Sequence, residues 1–230
     1  MIEFRNVVLQ YHYEEFALLK GVNFTLTDGI NTILVDTQSG KSSICKLLMK
    51  EVVANSGEIT IDGLEISGIT NADLGILYLP SKPTFFENKS VRFNVEYPLK
   101  VRKIAKIERR KKAEQVATSL GIDYLDVKVK KLTDEQRKLV ALARGLTVER
   151  KIVLFDDFFR VNECENAMEK VNSVLNYFKN SLCVILSSDT RLAIGNVAVL
   201  DGGMTVYEGT PDGAKHVIDG LCWLNSSIKE

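Results

Sequence analysis

The triplet Gly40-Lys41-Ser42 stands between an apolar run, Thr32–Val35, and a helix-like stretch, Ser43–Met49. A strand, a short loop and a helix in this order favour anion binding, because the helix N-terminus offers unpaired N–H groups and partial positive charge. The triplet ends the phosphate-loop pattern G-x-x-x-x-G-K-[S/T], in which lysine reaches phosphate and the hydroxyl holds magnesium. Val35 occupies the first glycine position, so the pattern is incomplete. The triplet alone can arise by chance, so the rest of the chain must show whether it marks a nucleotide site.

Composition is compatible with a globular protein that buries a sizeable core. The 230 residues are 45% hydrophobic and 26% charged, and 30 Lys and Arg balance 30 Asp and Glu. This balance creates no global basic field, so we expect no nucleic-acid partner. No stretch approaches the ~20 apolar residues that span a bilayer. We therefore expect a cytoplasmic protein, and any membrane role must come through a partner.

The cysteines show neither C-x-x-C pairs nor metal-ligand spacing. They are scattered along the chain at Cys45, Cys164, Cys183 and Cys222. Isolated cysteines of this kind are typical of reduced thiols in a cytosolic protein.

Hydrophobic periodicity predicts strands that alternate with helices. Fully apolar runs predict parallel strands buried on both faces, alternating runs predict antiparallel strands, and Asp-Gly-Gly predicts a hairpin turn. A threonine followed three residues later by glutamine predicts a capped helix start. The predicted strands are Ile2–Leu9, Val22–Leu26, Gly57–Gly63, Leu74–Leu79, Ile152–Phe155 and Leu182–Leu186, with a helix at Thr133–Leu146 and a hairpin at Val197–Gly209.

A strongly basic segment lies in the middle of the chain, within helix-like spacing over Val91–Leu120. We expect one amphipathic helix with a solvated basic face, while acidic headgroups or a partner's acidic surface remain alternatives. No aromatic residue interrupts the segment, so base stacking is not expected. The basic residues are Lys100, Arg102, Lys103, Lys106, Arg109, Arg110, Lys111 and Lys112.

The stretch Leu132–Leu146 resembles the signature helix of the ATP-binding-cassette (ABC) ATPases, whose pattern is L-S-G-G-Q-x-Q-R-V-A-L-A-R-A-L. Lys151–Asp157 resembles the Walker B strand that follows it at the same spacing. The resemblance extends over nearly the whole chain, from an opening strand that ends at Tyr11 to the C-terminal Tyr207–Pro211. It identifies the phosphate loop as a degenerate nucleotide site.

The family resemblance implies an α/β fold: a P-loop NTPase (RecA-like) core with an antiparallel β-subdomain and an α-helical subdomain. The expected single nucleotide-binding domain comprises residues 1–230. Its core and β-subdomain would occupy approximately 1–85 and 150–230, and its helical subdomain 86–149.

The resemblance also implies ATP and Mg²⁺ as cofactors. Lys41 would bind the terminal phosphates, Ser42 and Asp156 would hold magnesium, and Tyr11 stands where the family stacks an aromatic ring on adenine. Other phosphate-loop positions are Ser39, Gly40 and Ser43. The signature positions, which in the family contact the ATP of a partner subunit, are Leu132, Thr133, Asp134, Glu135 and Gln136.

The groups that hydrolyse ATP in the family are substituted. Asp157 replaces the catalytic glutamate, Ser188 the switch histidine and Ser81 the magnesium-sensing glutamine. Asp157 is shorter than glutamate by ~1.5 Å, and a misplacement of ~1 Å can cost about a hundredfold in rate. Asp134 and Glu135 replace two glycines, and each carboxylate would repel a phosphate ~4 Å away by roughly 4 kcal/mol at a dielectric of ~20. Val35 and Gln38 would add strain if their positions require positive φ.

The sequence therefore predicts the ATP-binding subunit of an ABC transporter, with weak or absent hydrolysis, docked to a transmembrane subunit and paired with a second ABC subunit in a heterodimer. Phe85 and Phe86 stand where the family contacts the transporter, although core packing would explain them equally well. Two alternatives stay open. One is a fully active ATPase subunit that energises transport, and the other is a non-transport, nucleotide-gated structural or regulatory ABC protein.

Overall fold

The computed structural model describes residues 1–36, 40–159 and 166–221. Within these ranges the chain forms strands β1 to β10 and helices α1 to α7. Short 3₁₀ turns occupy Ile66–Gly68, Val129–Lys131 and Thr190–Leu192. The strands are β1 (Ile2–Leu9), β2 (Leu19–Leu26), β3 (Ile30–Val35), β4 (Ser56–Ile61), β5 (Leu64–Glu65), β6 (Ile76–Pro80), β7 (Ile152–Asp156), β8 (Leu182–Ser187), β9 (Asn196–Asp201) and β10 (Met204–Gly209). The helices are α1 (Lys41–Leu48), α2 (Asn71–Leu74), α3 (Val91–Val101), α4 (Lys106–Ser119), α5 (Asp134–Leu146), α6 (Ala167–Asn176) and α7 (Pro211–Ile218).

The first of two compact units comprises Met1–Tyr78 and the chain from Lys151 onward. It contains a six-stranded sheet with the order β10-β9-β3-β8-β7-β6. β3 pairs in parallel with β8 and β9, and β7 pairs in parallel with β8. The segments predicted as buried parallel strands, Ile152–Phe155 and Leu182–Leu186, are confirmed, since all residues of β7 and β8 are buried.

Parallel pairing brings the carboxyl ends of β3, β8 and β7 to one edge of the sheet. The phosphate-loop triplet follows β3, Asp156 ends β7, and Ser188 follows β8. Ligands of parallel α/β sheets bind at this edge. Strand order thus assembles residues that are more than a hundred positions apart in the sequence.

A second, antiparallel sheet in the same unit has the order β2-β1-β4-β5. β1 pairs with β2 on one side and with β4 on the other. Its buried face shares one hydrophobic core with β3, β7, β8 and α1, in which Phe4 stacks on Phe24 with ring centroids 4.4 Å apart. The predicted antiparallel strands and the C-terminal β9–β10 hairpin are confirmed.

The second unit, Leu79–Arg150, is helical and has its own core among α3, α4 and α5. The prediction of one basic helix over Val91–Leu120 is wrong, because α3 ends at Val101 and α4 begins at Lys106. Lys103 adopts left-handed backbone, and the Ile104 N–H donates to the Leu99 carbonyl, which closes the end of α3. The basic residues are therefore distributed over two helices and the break between them.

No helix within the described residues is long and apolar enough to cross a membrane. The subdomain boundaries near residues 85 and 150 stay predictions, although the helical unit starts and ends close to them.

Candidate functional site

Gly40 begins the site by turning the chain into α1. Its backbone is left-handed, with φ of 92°, and a Cβ at this position would lie 3.0 Å from the Leu18 side chain. Both features require glycine, because other residues are strained at such φ values. By contrast, Val35 is the last residue of β3, pairs with Leu200 and is not among the residues with positive φ. The strain that the sequence suggested at Val35 is absent, and Gln38 lies outside the described residues.

Lys41 is held by an ion pair with Asp157. Lys41 Nζ lies 2.9 Å from Asp157 Oδ2, and the lysine side chain is 8% exposed whereas the aspartate is 41% exposed. Asp157 has φ of 45°, which is unusual for a residue other than glycine, and its N–H donates to the Leu186 carbonyl at 3.0 Å. This backbone conformation directs the carboxylate toward the lysine. The positive charge expected to bind phosphate is thus neutralised by the residue in the place of the catalytic glutamate.

Asp156 is the centre of a hydrogen-bonded network. Its Oδ2 atom accepts from Ser42 Oγ at 2.8 Å and from the Tyr78 hydroxyl at 2.7 Å. Asp156 is only 5% exposed, and a buried carboxylate requires such donors to compensate its lost hydration. Burial and the hydrogen bond to Asp156 raise the pKa of Tyr78, which keeps this hydroxyl protonated as a donor.

The network fits a magnesium ion chemically. Mg²⁺ prefers hard oxygen ligands and is usually bound through one or two carboxylates together with phosphates and water. Ser42 and Asp156 supply a hydroxyl and a carboxylate in contact with each other. Burial raises the pKa of the neighbouring Cys45 thiol, and the negative charges of Asp156 and Asp157 raise it further. In the described part of the chain no cluster of three or more His, Cys, Asp or Glu is arranged to hold a metal ion.

Tyr11 lies against the start of α1. Its hydroxyl and Ser43 Oγ are 3.0 Å apart, the Tyr13 ring stacks on it at 5.4 Å, and Lys46 Nζ lies 5.9 Å from the ring centroid. Tyr13 itself is 80% exposed. The adenine-stacking role of Tyr11 therefore stays a prediction, and Tyr13 covers one face of its ring in this structure.

Ser188 follows β8 at the same sheet edge and is half-buried. The adjacent Asp189 accepts two hydrogen bonds from the Arg191 guanidinium in the same loop, at 2.6 and 2.8 Å. Burial raises the pKa of Asp189, but the hydrogen bonds and charge of Arg191 outweigh that effect and lower it overall. Serine lacks the titratable imidazole through which a histidine could contact phosphate.

The signature positions form a self-satisfied helix cap in the helical unit. Thr133 Oγ1 accepts from the Gln136 N–H at 3.3 Å, and Gln136 Oε1 accepts from the Thr133 N–H at 3.0 Å. Asp134 and Glu135 occupy the first turn of α5, where their charges stabilise the helix dipole. Leu132, just before the cap, packs against the core of this unit. The capping box predicted from the sequence is confirmed. Its side chains form hydrogen bonds with the first backbone N–H groups of their own helix.

The structure brings Lys41, Ser42, Asp156 and Asp157 together, as the sequence predicted. It adds Tyr78, which sequence reasoning missed although this polar side chain interrupts an apolar strand. Ser81 follows β6 directly and is described with the helical unit, whereas Ser39 lies outside the described residues. Cys45 and Cys183 are buried free thiols, and Cys164 and Cys222 lie outside those residues.

Comparison with known proteins identifies the family. Residues 19–160, more than half of the chain, match the model of the ABC transporter family. The molybdate/tungstate import ATP-binding protein WtpC of Thermococcus kodakarensis is 29% identical over 204 residues, which cover 86% of this chain and 62% of that protein. The sn-glycerol-3-phosphate import ATP-binding protein UgpC 2 of Rhizobium johnstonii is 28% identical over 151 residues, which cover 65% of this chain and 44% of that one. The chain therefore spans less than two thirds of these relatives' length.

A solved structure of a bacterial Atm1-family ABC exporter with ATP bound superposes with a TM-score of 0.79. It covers 100% of this chain and 42% of that chain at 19% identity, so it shows the fold. The two sheets, the helical unit and the turn at Gly40 into α1 agree with a P-loop NTPase of the ATP-binding-cassette type. The chain belongs to the ABC transporter family and has the fold of its ATPase domain.

Proposed function

We propose that this chain is the ATP-binding subunit of an ABC importer, that it binds Mg-ATP weakly, and that it hydrolyses ATP slowly or not at all. The observation that carries the proposal is the preserved Ser42–Asp156 contact beside a Lys41 that Asp157 neutralises. Ser42, Asp156 and Lys41 are the groups that would bind magnesium and phosphate. The residue that would activate water is instead bound to the phosphate lysine.

Weak binding follows from the ion pair. ATP must compete with Asp157 for Lys41, and Asp157 adds negative charge close to the incoming phosphates. The other losses act on hydrolysis, because Ser188 cannot replace a histidine at the terminal phosphate and Asp157 is shorter than glutamate. Magnesium, when bound, would neutralise phosphate charge and orient the nucleotide. The substitutions should therefore reduce ATP hydrolysis more than ATP binding.

The import assignment and the partner subunits rest on the relatives. WtpC and UgpC 2 are both named as import ATP-binding proteins. We propose that this chain likewise docks on a membrane subunit and pairs with a second ABC subunit that supplies an intact catalytic set. Asp134 and Glu135 would repel the ATP of an identical copy, which favours a heteromeric pair over a homodimer.

An aromatic patch of Phe86, Phe93 and Tyr97 is the proposed docking surface. Phe86 is 43% exposed and contacts both other rings, at centroid distances of 5.4 and 4.6 Å. The buried Asn94 fixes it by accepting from the Phe86 N–H at 2.9 Å and donating to its carbonyl at 3.3 Å. Such a preorganised, exposed ring is suited to bind an apolar helix of a membrane subunit.

Phe85, by contrast, packs toward the helical core. The guanidinium groups of Arg137 and Arg144 lie 5.2 and 4.8 Å from its ring centroid, and the ring is half-buried. Of the two neighbouring phenylalanines, only Phe86 presents its ring for docking.

Phe86→Ser should reduce co-purification with a co-expressed multi-span subunit encoded beside the gene. Tyr177→Ser, at an equally exposed aromatic position (43%), should leave co-purification unchanged.

The nucleotide proposal is tested by titrating a fluorescent ATP analogue in the presence of Mg²⁺. Lys41→Ala should weaken binding at least tenfold. Lys215→Ala is the matched control, because Lys215 also forms a lysine–aspartate pair, with Asp212 at 3.0 Å, but on the exposed face of α7. Equal affinity of the wild type and Lys41→Ala would show that this loop is not the nucleotide site.

A further inference from the structure

Tyr78 contacts the proposed magnesium carboxylate from the neighbouring strand. It lies on β6, adjacent to β7 in the sheet, and its hydroxyl reaches Asp156 Oδ2 at 2.7 Å. The ring packs against the main hydrophobic core of its unit and is half-buried. A phenylalanine would fill the same apolar space, so packing explains the ring but not the hydroxyl.

We propose that Tyr78 is a positioning residue of the magnesium site, whose hydroxyl fixes the orientation of the Asp156 carboxylate. The inference rests on the proposed binding of Mg-ATP at Ser42 and Asp156. Partners that hydrogen-bond to metal-ligating carboxylates orient them, and their loss typically reduces metal affinity by about 10–100-fold.

The hydrogen-bond capacity of Asp156 is consistent with this role. An ionised carboxylate has about four acceptor sites, and Ser42 and Tyr78 use two of them, both on Oδ2. Among the described residues no further hydrogen bond occupies Oδ1 or the remaining lone pairs, which a cation or its water ligands could use. Because Asp156 is buried, its carboxylate would rotate toward another hydrogen-bond donor if the tyrosine hydroxyl were removed. It would then lose the orientation that metal binding requires.

The position of Tyr78 in the chain gives the contact a second consequence. Ser81, three residues further along, stands where the family resemblance places the magnesium-sensing glutamine. Ser81 has too short a side chain to replace a glutamine. Through its hydroxyl, Tyr78 keeps a link between β6 and the magnesium carboxylate that the missing glutamine no longer provides.

The test compares wild type, Tyr78→Phe and Tyr207→Phe. Tyr207→Phe is the matched control, because it removes a tyrosine hydroxyl with a single hydrogen bond, to the Thr210 carbonyl at 2.9 Å, in the same unit. Mn²⁺ is the probe in place of Mg²⁺, and its free concentration is followed by electron paramagnetic resonance in the presence of saturating AMP-PNP. Affinity for a fluorescent ATP analogue in EDTA is measured in parallel, and thermal unfolding checks the fold.

Tyr78→Phe should weaken Mn²⁺ binding by about tenfold or more, with unchanged nucleotide affinity in EDTA, whereas Tyr207→Phe should match the wild type. Unchanged Mn²⁺ affinity in Tyr78→Phe would overturn the positioning role and leave the proposed function standing. The same would follow if Tyr78→Phe lowered the nucleotide affinity in EDTA as much as it lowered the Mn²⁺ affinity. A wild type that binds the analogue without any metal dependence would contradict the magnesium site, and with it the inference. A wild type that binds no nucleotide would contradict the proposed function itself.

Discussion

Lys41 Nζ and Asp157 Oδ2 lie 2.9 Å apart, which joins the phosphate lysine to the carboxylate in the place of the catalytic glutamate. The lysine is buried and the aspartate is held in left-handed backbone at the end of β7. Lys41 begins α1 and Asp157 follows β7, and each neutralises the charge of the other. In the proposed function, the phosphates of the nucleotide compete with Asp157 for Lys41.

Asp157→Asn should therefore tighten binding of the fluorescent ATP analogue. Partly exposed ion pairs contribute up to about 1 kcal/mol, so the expected gain is about two- to fivefold, because Lys41 no longer has a competing anion. The gain should appear for ADP as well as ATP, since it does not depend on hydrolysis. Asp212→Asn, which removes the exposed pair with Lys215, should change neither affinity. Weaker binding in Asp157→Asn would mean that the carboxylate assists the nucleotide instead of competing with it.

The capping box at the signature should matter for stability and not for nucleotide binding by the isolated chain. Thr133→Ala removes the acceptor for the Gln136 N–H, so the free energy of unfolding should fall by about 1 kcal/mol. Thr133→Ser keeps a hydroxyl and should stay close to the wild type. Chemical denaturation gives the stability, and titration of the ATP analogue gives the affinity. If Thr133→Ala lowers affinity as much as Lys41→Ala, the signature belongs to the same chain's site.

The acidic signature should prevent ATP-driven association of identical copies. Asp134 and Glu135 begin α5, where the family resemblance places the contact with a partner's ATP. Light scattering should find the same mass for the wild type with and without Mg-ATP, because these carboxylates repel phosphate. Asp134→Lys reverses one charge outside the capping box and should strengthen any association. A stable ATP-dependent homodimer that Asp134→Lys weakens would contradict both the repulsion and the need for a different partner.

Much of this fold follows from local sequence patterns. Apolar runs such as Ile152–Phe155 favour strands buried on both faces. Thr133 with Gln136 marks the start of α5 through hydrogen bonds within three residues. The break between α3 and α4 was missed because it depends on the left-handed backbone at Lys103. Lysine has no strong preference for that conformation, so its sequence gives no signal.

The contacts within the site were harder to predict than its residues. The motif positions of Lys41, Ser42 and Asp156 follow from spacing along the chain. The Tyr78–Asp156 bond depends on β6 lying beside β7, and the Lys41–Asp157 pair depends on an unusual φ after β7. Both are properties of tertiary structure, and neither strand order nor backbone strain is encoded in a short motif.

The most direct test of the account is a single-turnover experiment with the purified chain in excess over Mg-ATP. Bound ATP and released phosphate are measured in the same samples. ATP should be retained and phosphate release should stay at background, because Asp157 is bound to Lys41 and Ser188 stands in the place of the family's histidine. Cleavage of the bound ATP at about 1 s⁻¹ or faster, the range of ordinary enzymes, and its loss in Asp157→Asn would contradict the account.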